Sequence, residues 1–192
     1  MANTKVYSYV QADCPSTVRD QIIHLLKKEW PQTFAPNQPE WPTESPEMEP
    51  ISLVITINEF VVSHCTLMRK TIDHCGSNYL AFGLSSVVTE RTFRRQGFGR
   101  LLFRHATRYI EREKADIGLF TCDPCLESLY NRYGWETAKQ TPLVGGTLAK
   151  PFSSAALGKS TIVRLFSKKA KSNRECILSR SIHLELGEGK LW

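Results

Sequence analysis

Apolar residues recur along this chain at two periods, and the changes of period mark out its elements. Val6-Tyr7-Ser8-Tyr9-Val10 alternates and predicts a first strand. Val18, Ile22, Leu25, Leu26 and Trp30 fall on one helical face, with Thr17-x-x-Asp20 as a candidate capping box. From Pro31 to Pro50 the prolines at 36, 39, 42 and 46 forbid a continuous helix. That stretch predicts an ordered loop anchored by Phe34 and Trp41. Ile51–Ile57 and Phe60–Met68 read as a hairpin about Asn58-Glu59. Tyr79–Thr89 is a strand whose small and apolar residues suit burial on both faces. A helix follows to about Lys114, with Leu101, Leu102, His105, Ala106, Tyr109 and Ile110 as its apolar stripe. Ile117–Thr121 is a short buried strand. Pro124 opens a helix carrying Leu126, Leu129 and Tyr130 and ending near Gly134. Two late strands, Thr161–Phe166 and Cys176–Leu186, alternate across a basic turn. The order β-α-loop-β-β-β-α-β-α-β-β predicts one α+β domain over residues 1–192, a mixed sheet with helices on both faces.

Charge and cysteine content narrow the function classes. The 192 residues carry a formal charge of +6. One basic cluster, Arg91, Arg94, Arg95, Arg100, Arg104 and Arg108, surrounds a glycine-bearing loop. The other, Lys168, Lys169, Lys171 and Arg174, reads as a solvated hairpin tip rather than a nucleic-acid surface, because no aromatics for base stacking are interleaved with it. No apolar run is long enough to span a bilayer, and the first residues lack the apolar core of a signal peptide. A cytoplasmic enzyme that binds neither membrane nor nucleic acid is the expectation. The six cysteines then read as reduced thiols. Cys122-Asp123-Pro124-Cys125 is a lone C-x-x-C, to which His64-Cys65 or His74-Cys75 would have to add a second pair. The reading adopted is no metal, with Cys122 ending a buried strand and Cys125 in the first turn of a helix.

The chemistry concentrates in Arg94-Arg95-Gln96-Gly97-Phe98-Gly99-Arg100, which runs straight into the amphipathic helix. The first amides of a helix have no partner within it and lie at the positive end of its dipole, which makes an anion site. Gly97 and Gly99 let a phosphate approach the backbone, and the arginines add donors. The third glycine of a dinucleotide fingerprint is missing, and so is the Gly-Lys-Ser/Thr of a P-loop. What remains, Arg94-x-x-Gly97-x-Gly99 after the strand-like Leu84–Thr89, resembles the Gln/Arg-x-x-Gly-x-Gly/Ala signature of the GNAT superfamily of acyl-CoA N-acyltransferases. Leu129-Tyr130-Asn131-Arg132-Tyr133-Gly134-Trp135 resembles that superfamily's Leu/Phe-Tyr-x-x-x-Gly-Phe/Trp segment. As a bare pattern, Tyr130 would also suit a core tyrosine on an amphipathic helix.

The resemblance implies a three-layer α/β/α fold around a mixed, mainly antiparallel sheet. It implies acetyl-CoA as co-substrate, with its pyrophosphate on Arg94, Arg95, Gln96, Gly97, Phe98, Gly99 and Arg100 and its pantetheine arm along Val87, Val88 and Thr89. It gives Tyr130 the role of protonating the leaving thiolate. The acceptor is then a small-molecule amine attacking the thioester directly, and the family leaves room for a homodimer. The size, the late strands and a terminal Trp192 are most similar to the aminoglycoside 2'-N-acetyltransferases, which would place Ser85, Ser86 and the Trp192 carboxylate by the acceptor. That subfamily's acidic positions are not matched: the chain has Ala35–Gln38, Ser85 and Ser86, and Ser153–Lys159 instead, with Lys190 near the terminus. The general base stays open among Glu90, Glu185, Glu188, His183, the Trp192 carboxylate and water reached from Ser85. A catalytically silent coenzyme A-binding module and a true aminoglycoside 2'-N-acetyltransferase are the alternatives.

Overall fold

The computed structural model describes residues 3–32 and 41–192; the Phe34 anchor and the Ala35–Gln38 stretch lie outside them. In chain order the elements are β1 (Thr4–Val10), α1 (Ser16–Glu29), β2 (Ile51–Ile57), β3 (Phe60–His74), β4 (Ser77–Thr89), α2 (Phe98–Arg112), β5 (Ile117–Cys122), α3 (Glu127–Asn131), β6 (Glu136–Thr137), β7 (Leu143–Gly146), β8 (Pro151–Ser153), β9 (Ser160–Leu165), α4 (Lys168–Ser172), α5 (Arg174–Ile177) and β10 (Ile182–His183). The hydrogen-bonded strand order is β1-β2-β3-β4-β5-β9-β6, with a second sheet β10-β7-β8. In the larger sheet β4 and β5 run parallel, while β1–β2, β2–β3, β5–β9 and β6–β9 are antiparallel. The expected mixed, mainly antiparallel α+β sheet is therefore present.

The chain folds into two compact units, Met1–Arg69 with Leu84–Tyr109, and Lys70–Gly83 with Ile110–Trp192. In the first, β1 pairs with β2 from Thr4↔Ile57 to Val10↔Ile51. The β2–β3 hairpin turns at Asn58 and Glu59, both left-handed (φ 48° and 71°), the backbone a tight two-residue hairpin needs. Its register shifts between Ile55 and Thr56, which marks a bulge. Ile22, Leu25 and Leu26 of α1 pack with Val54 and Val88 as a core, with Val18 and Trp41 partly buried against it. Trp30 does not complete this stripe: it caps the C-terminus of α1 and is 37% exposed. Nor does a capping box start α1. The residue before the helix is Pro15, whose carbonyl accepts the amides of Val18 and Arg19. In α2 the buried positions are Leu102, Phe103, Ala106, Thr107 and Ile110, whereas Leu101, His105 and Tyr109 are only half-buried. The buried face is thus rotated about one residue from the expected stripe.

In the second unit β4 pairs with β5 through Ala81–Gly83 and Ile117–Leu119. Phe120 meets the Tyr130 ring edge-on at 4.8 Å and Trp135 at 5.3 Å, and Trp135 meets Phe166 at 6.0 Å. Gly118 is required here, since a Cβ would overlap the Trp135 ring.

Two expectations for this unit are corrected. The predicted Cys176–Leu186 strand and basic hairpin tip are absent. Ser167 accepts the Ala170 amide and caps α4, α5 follows, and only Ile182–His183 is extended. Two of the four basic residues are put to use rather than left as a solvated tip. Lys169 pairs with Asp116 at 2.9 Å and donates to the Asn78 carbonyl, and Arg174 pairs with Glu136. Second, not all thiols are reduced, because Cys75 and Cys176 form a disulfide across a separation of 101 residues. Cysteine usage therefore no longer points to a reducing compartment. Cys14, Cys65, Cys122 and Cys125 are free, with Cys122 buried at the end of β5 and Cys125 exposed in the turn that leads into α3.

Trp192 is buried, with its ring over Gly83 and its main-chain oxygen accepting the Thr121 amide (2.9 Å) and hydroxyl (2.6 Å). A Cβ at Gly83 would overlap that indole. Gly83→Ala should therefore destabilise the protein by about 1–3 kcal/mol in thermal unfolding, the usual range for overpacking. Combining it with Trp192→Ala should give a loss smaller than the sum of the two.

Candidate active site

The loop from β4 to α2 has the backbone of an anion cradle. Arg95 (φ 64°) and Gly97 (φ 89°) are both left-handed. The Leu101 amide bonds to the Gly97 carbonyl at 2.9 Å and closes the first turn of α2. The amides of Phe98, Gly99 and Arg100 precede that first bond, as at every helix start. At Gly97 the glycine serves the positive φ, since a Cβ would meet nothing within 4 Å. At Gly99 a Cβ would make one ordinary contact, with Thr89 Oγ1 at 3.6 Å. The protein's own packing therefore does not require glycine at 99, and its absence of a side chain leaves the helix start open to a ligand.

Side chains hold this loop from beneath. Arg94 donates from Nε to the Thr89 carbonyl (2.9 Å) and pairs with Glu29 at the end of α1 (2.8 Å), and Arg91 reaches the same carboxylate at 3.6 Å. Gln96 donates to the Thr92 carbonyl at 3.0 Å. Phe98 stacks edge-on with Phe93 at 6.0 Å. Arg94 and Gln96 thus shape the loop, and Arg95 and Arg100 are exposed on it.

The strand leading into the loop is kinked. Ser86 sits at φ 52° in the middle of β4, a left-handed conformation that costs a non-glycine residue about 1–2 kcal/mol. Side chains of β3 hold the kinked half. Ser63 Oγ donates to the Val88 carbonyl (2.9 Å) and lies 2.8 Å from Thr89 Oγ1, and His64 Nδ1 lies 3.3 Å from the Ser86 carbonyl. His64 Nε2 meets Ser52 Oγ at 3.1 Å, and Gln11 Nε2 meets the same hydroxyl at 3.1 Å. Gln11 Oε1 in turn accepts the Thr43 amide at 3.0 Å, and the Gln11 carbonyl accepts Trp41 Nε1 at 2.7 Å. Gln11, Ser52, Ser63 and His64 are all fully buried. Sequence reasoning missed this network. Its only signal was a set of polar residues inside apolar strands, where burial demands hydrogen-bond partners.

The structure brings Ser85, Ser86, Val87–Thr89 and the Arg94–Arg100 loop together in the first unit, and places Tyr130 and Trp192 in the second. Ser85 and Ser86 hydroxyls lie 3.4 Å apart. Tyr130 is buried on α3 against Phe120. Among the candidate bases, Glu90 is held below its ordinary carboxylate range, chiefly by the hydrogen bond from Lys28 at 2.8 Å. Glu188 is tied to Lys150 at 2.7 Å. Among the described residues no group of three or more His, Cys, Asp or Glu side chains is placed to hold a metal ion.

Burial pushes the His64 imidazole down to about 4, against an ordinary 6.5 and against the raising effect of the Ser86 carbonyl. The folded protein therefore keeps His64 neutral down to about pH 4, whereas the unfolded chain takes up a proton below about 6.5. Between those values the unfolded state holds the extra proton, so stability is full above pH 6.5 and falls as the pH drops toward 4. The loss is on the order of 3 kcal/mol. His74, also held low by burial, acts in the same direction. Urea unfolding at pH 7 and pH 4.5 should show the loss, and His64→Phe should remove most of its pH dependence.

Comparison with known proteins gives the family and the fold. Residues 15–138 match the acetyltransferase (GNAT) domain family. No curated protein matches the chain. Among solved structures, the chain is similar to an acyl-CoA N-acyltransferase from Pseudomonas aeruginosa at 16% identity and TM-score 0.61, covering 84% of this chain and 99% of that one. It is similar to an aminoglycoside 6'-N-acetyltransferase complexed with coenzyme A at 11% identity and TM-score 0.60, covering 85% and 97%. It is also similar to the Escherichia coli GNAT family N-acetyltransferase YhbS in complex with CoA, at 15% identity and TM-score 0.58, covering 96% and 89%. At these identities the structural likenesses carry the fold, and the matched segment carries the family. That segment runs over more than half the chain, from the residue before α1 through β6, and includes the glycine loop and Tyr130, so the chain belongs to the GNAT acetyltransferases.

Proposed function

We propose that this protein transfers an acetyl group from acetyl-CoA to the amine of a small molecule. The observation that carries the reading is the loop into α2. Two left-handed residues set it up, Arg94 and Gln96 bond back to the Thr89 and Thr92 carbonyls, and Gly99 leaves open the space over the first helix amides. A pyrophosphate suits that surface, since main-chain N–H groups and the helix dipole both favour an anion. Arg95 and Arg100 add charge, and Val87–Thr89 offer the pantetheine arm main-chain partners.

In the reaction the neutral amine attacks the thioester carbonyl. The C–N bond forms, the C–S bond breaks, the amine gives up a proton and the departing thiolate gains one. Tyr130 is the proposed proton donor, and a main-chain amide of β4 near Val87 the proposed donor to the oxyanion. The β4–β5 pairing stops at Gly83, which supports a role in binding for the edge of β4 that β5 leaves. His64 is not the base, because it is fully buried and both of its nitrogens are engaged.

The acceptor reading is a small mono-amine. Ser85 and Ser86 stand where a polycation would need carboxylates, and each ammonium buried without a partner carries a desolvation penalty. Aminoglycosides of the gentamicin or kanamycin type should therefore be poor substrates in a thiol-release assay; efficient turnover of either would reverse this reading. Gly97→Glu should abolish acetyl-CoA binding by calorimetry, because the new side chain meets the left-handed position and adds an anion to an anion site. Tyr130→Phe should retain that binding and lower turnover by roughly a hundredfold or more. Turnover within a few fold of wild type would leave Tyr130 a packing residue.

A further inference from the structure

The polar network beneath β4 has a fixed direction. At one end the Thr43 amide can only donate, so Gln11 presents Oε1 to it and turns Nε2 toward Ser52. At the other end the Ser86 carbonyl can only accept, so the His64 nitrogen facing it, Nδ1, carries the hydrogen. The neutral ring then has its lone pair on Nε2, and Ser52 must donate its hydroxyl hydrogen there while accepting from Gln11. Gln11 Nε2 also lies near the Thr43 and Thr66 hydroxyls, but only one tautomer of His64 completes the chain from Ser52 to Ser86.

What this chain holds is the one left-handed residue inside β4. A serine at φ 52° relaxes toward ordinary extended backbone unless its surroundings prevent it. The His64 bond to its carbonyl and the Ser63 bond to the Val88 carbonyl act on the two sides of Val87. We propose that His64 is a positioning residue: held in a single tautomer by the Ser86 carbonyl and kept in place by the Ser52 hydroxyl, it fixes the Ser86 kink and so aims the Val87–Thr89 backbone at the acyl carrier. This rests on the proposed function only for what the kinked strand receives; the grip itself is a property of the chain.

The test is a double-mutant cycle between 64 and 86, read against an observation on the unmodified protein. Long-range 15N–1H NMR at pH 7 should find His64 neutral with the hydrogen on Nδ1; the Nε2–H tautomer or an imidazolium would overturn the proposal. His64→Phe keeps a ring of similar size and removes both nitrogens. It should lower kcat by about ten- to a hundredfold, the range for a misplaced reacting group, while acetyl-CoA affinity by calorimetry changes less than about threefold. Loss of affinity and kcat together would mark general structural damage and count against it.

Glycine at 86 adopts φ > 0 freely, so the kink no longer needs the grip. In a Ser86→Gly background, His64→Phe should therefore cost less than about threefold in kcat, measured against Ser86→Gly alone. An equal loss in both backgrounds would overturn the proposal. If His64→Phe does not fold, Ser52→Ala takes its place in the cycle, since it removes the hydroxyl that partners Nε2 and holds the ring in place. Melting temperatures of the same four proteins carry the test without activity. If no amine is acetylated, the proposed reaction fails, while coupling or additivity between 64 and 86 still decides for or against the grip.

Discussion

A β-strand that keeps one neighbour and leaves the other must find new partners for its main chain, since buried N–H and C=O groups do not go unpaired without penalty. β4 meets this constraint past Gly83, where its pairing with β5 stops. Toward β3, the neighbour it keeps, β4 is held firmly: Ser86 turns left-handed, Ser63 and His64 of β3 bond the Val88 and Ser86 carbonyls, and Glu90 donates its amide to Val62 before the chain turns toward α2. The same strand then delivers Thr89, whose carbonyl holds Arg94 and so shapes the glycine loop.

The energetics favour this buried network over the more numerous surface charges. The ion pairs Lys150–Glu188 and Lys159–Asp123 join side chains that are largely exposed, and such pairs contribute little on average. By contrast, leaving one partner of a buried hydrogen bond unsatisfied costs about 1–3 kcal/mol. Ser52 and His64 each serve two partners and the Gln11 side chain serves Thr43, Ser52 and Thr66, so removing any one orphans its neighbours. Specificity of conformation in this region comes from polar groups inside the core rather than from the core's apolar volume.

Long, strongly periodic elements were legible in the sequence. β2, the hairpin turn at Asn58-Glu59 and the start of α2 behind the glycine loop stand where alternation and helical spacing place them. β3 runs past Met68 because Ile72 and His74 continue the alternation through charged neighbours. Several elements of two to five residues were not legible, since β6, β8, α4, α5 and β10 are too short to show a period, whereas α3, also five residues long, was marked by Pro124. The mistaken late strand follows from this: Ser167 capping α4 is a local signal that a run of alternating residues outweighed. The candidate loop and the Tyr130 segment could be singled out in the sequence because each motif's residues are close together along the chain. The grip of His64 on Ser86 could not be, because it depends on which strand lies beside which.

The Cys75–Cys176 bond joins residues 101 positions apart, one in the turn between β3 and β4 and the other in α5. The segment it encloses holds β4, the glycine loop, α2 and Tyr130. Both chemical motifs therefore belong to one covalent ring. A single peptide-bond break anywhere between the two cysteines opens the chain but separates nothing, so a nicked molecule still carries the anion loop and the tyrosine in one piece until a reductant reaches the sulfurs.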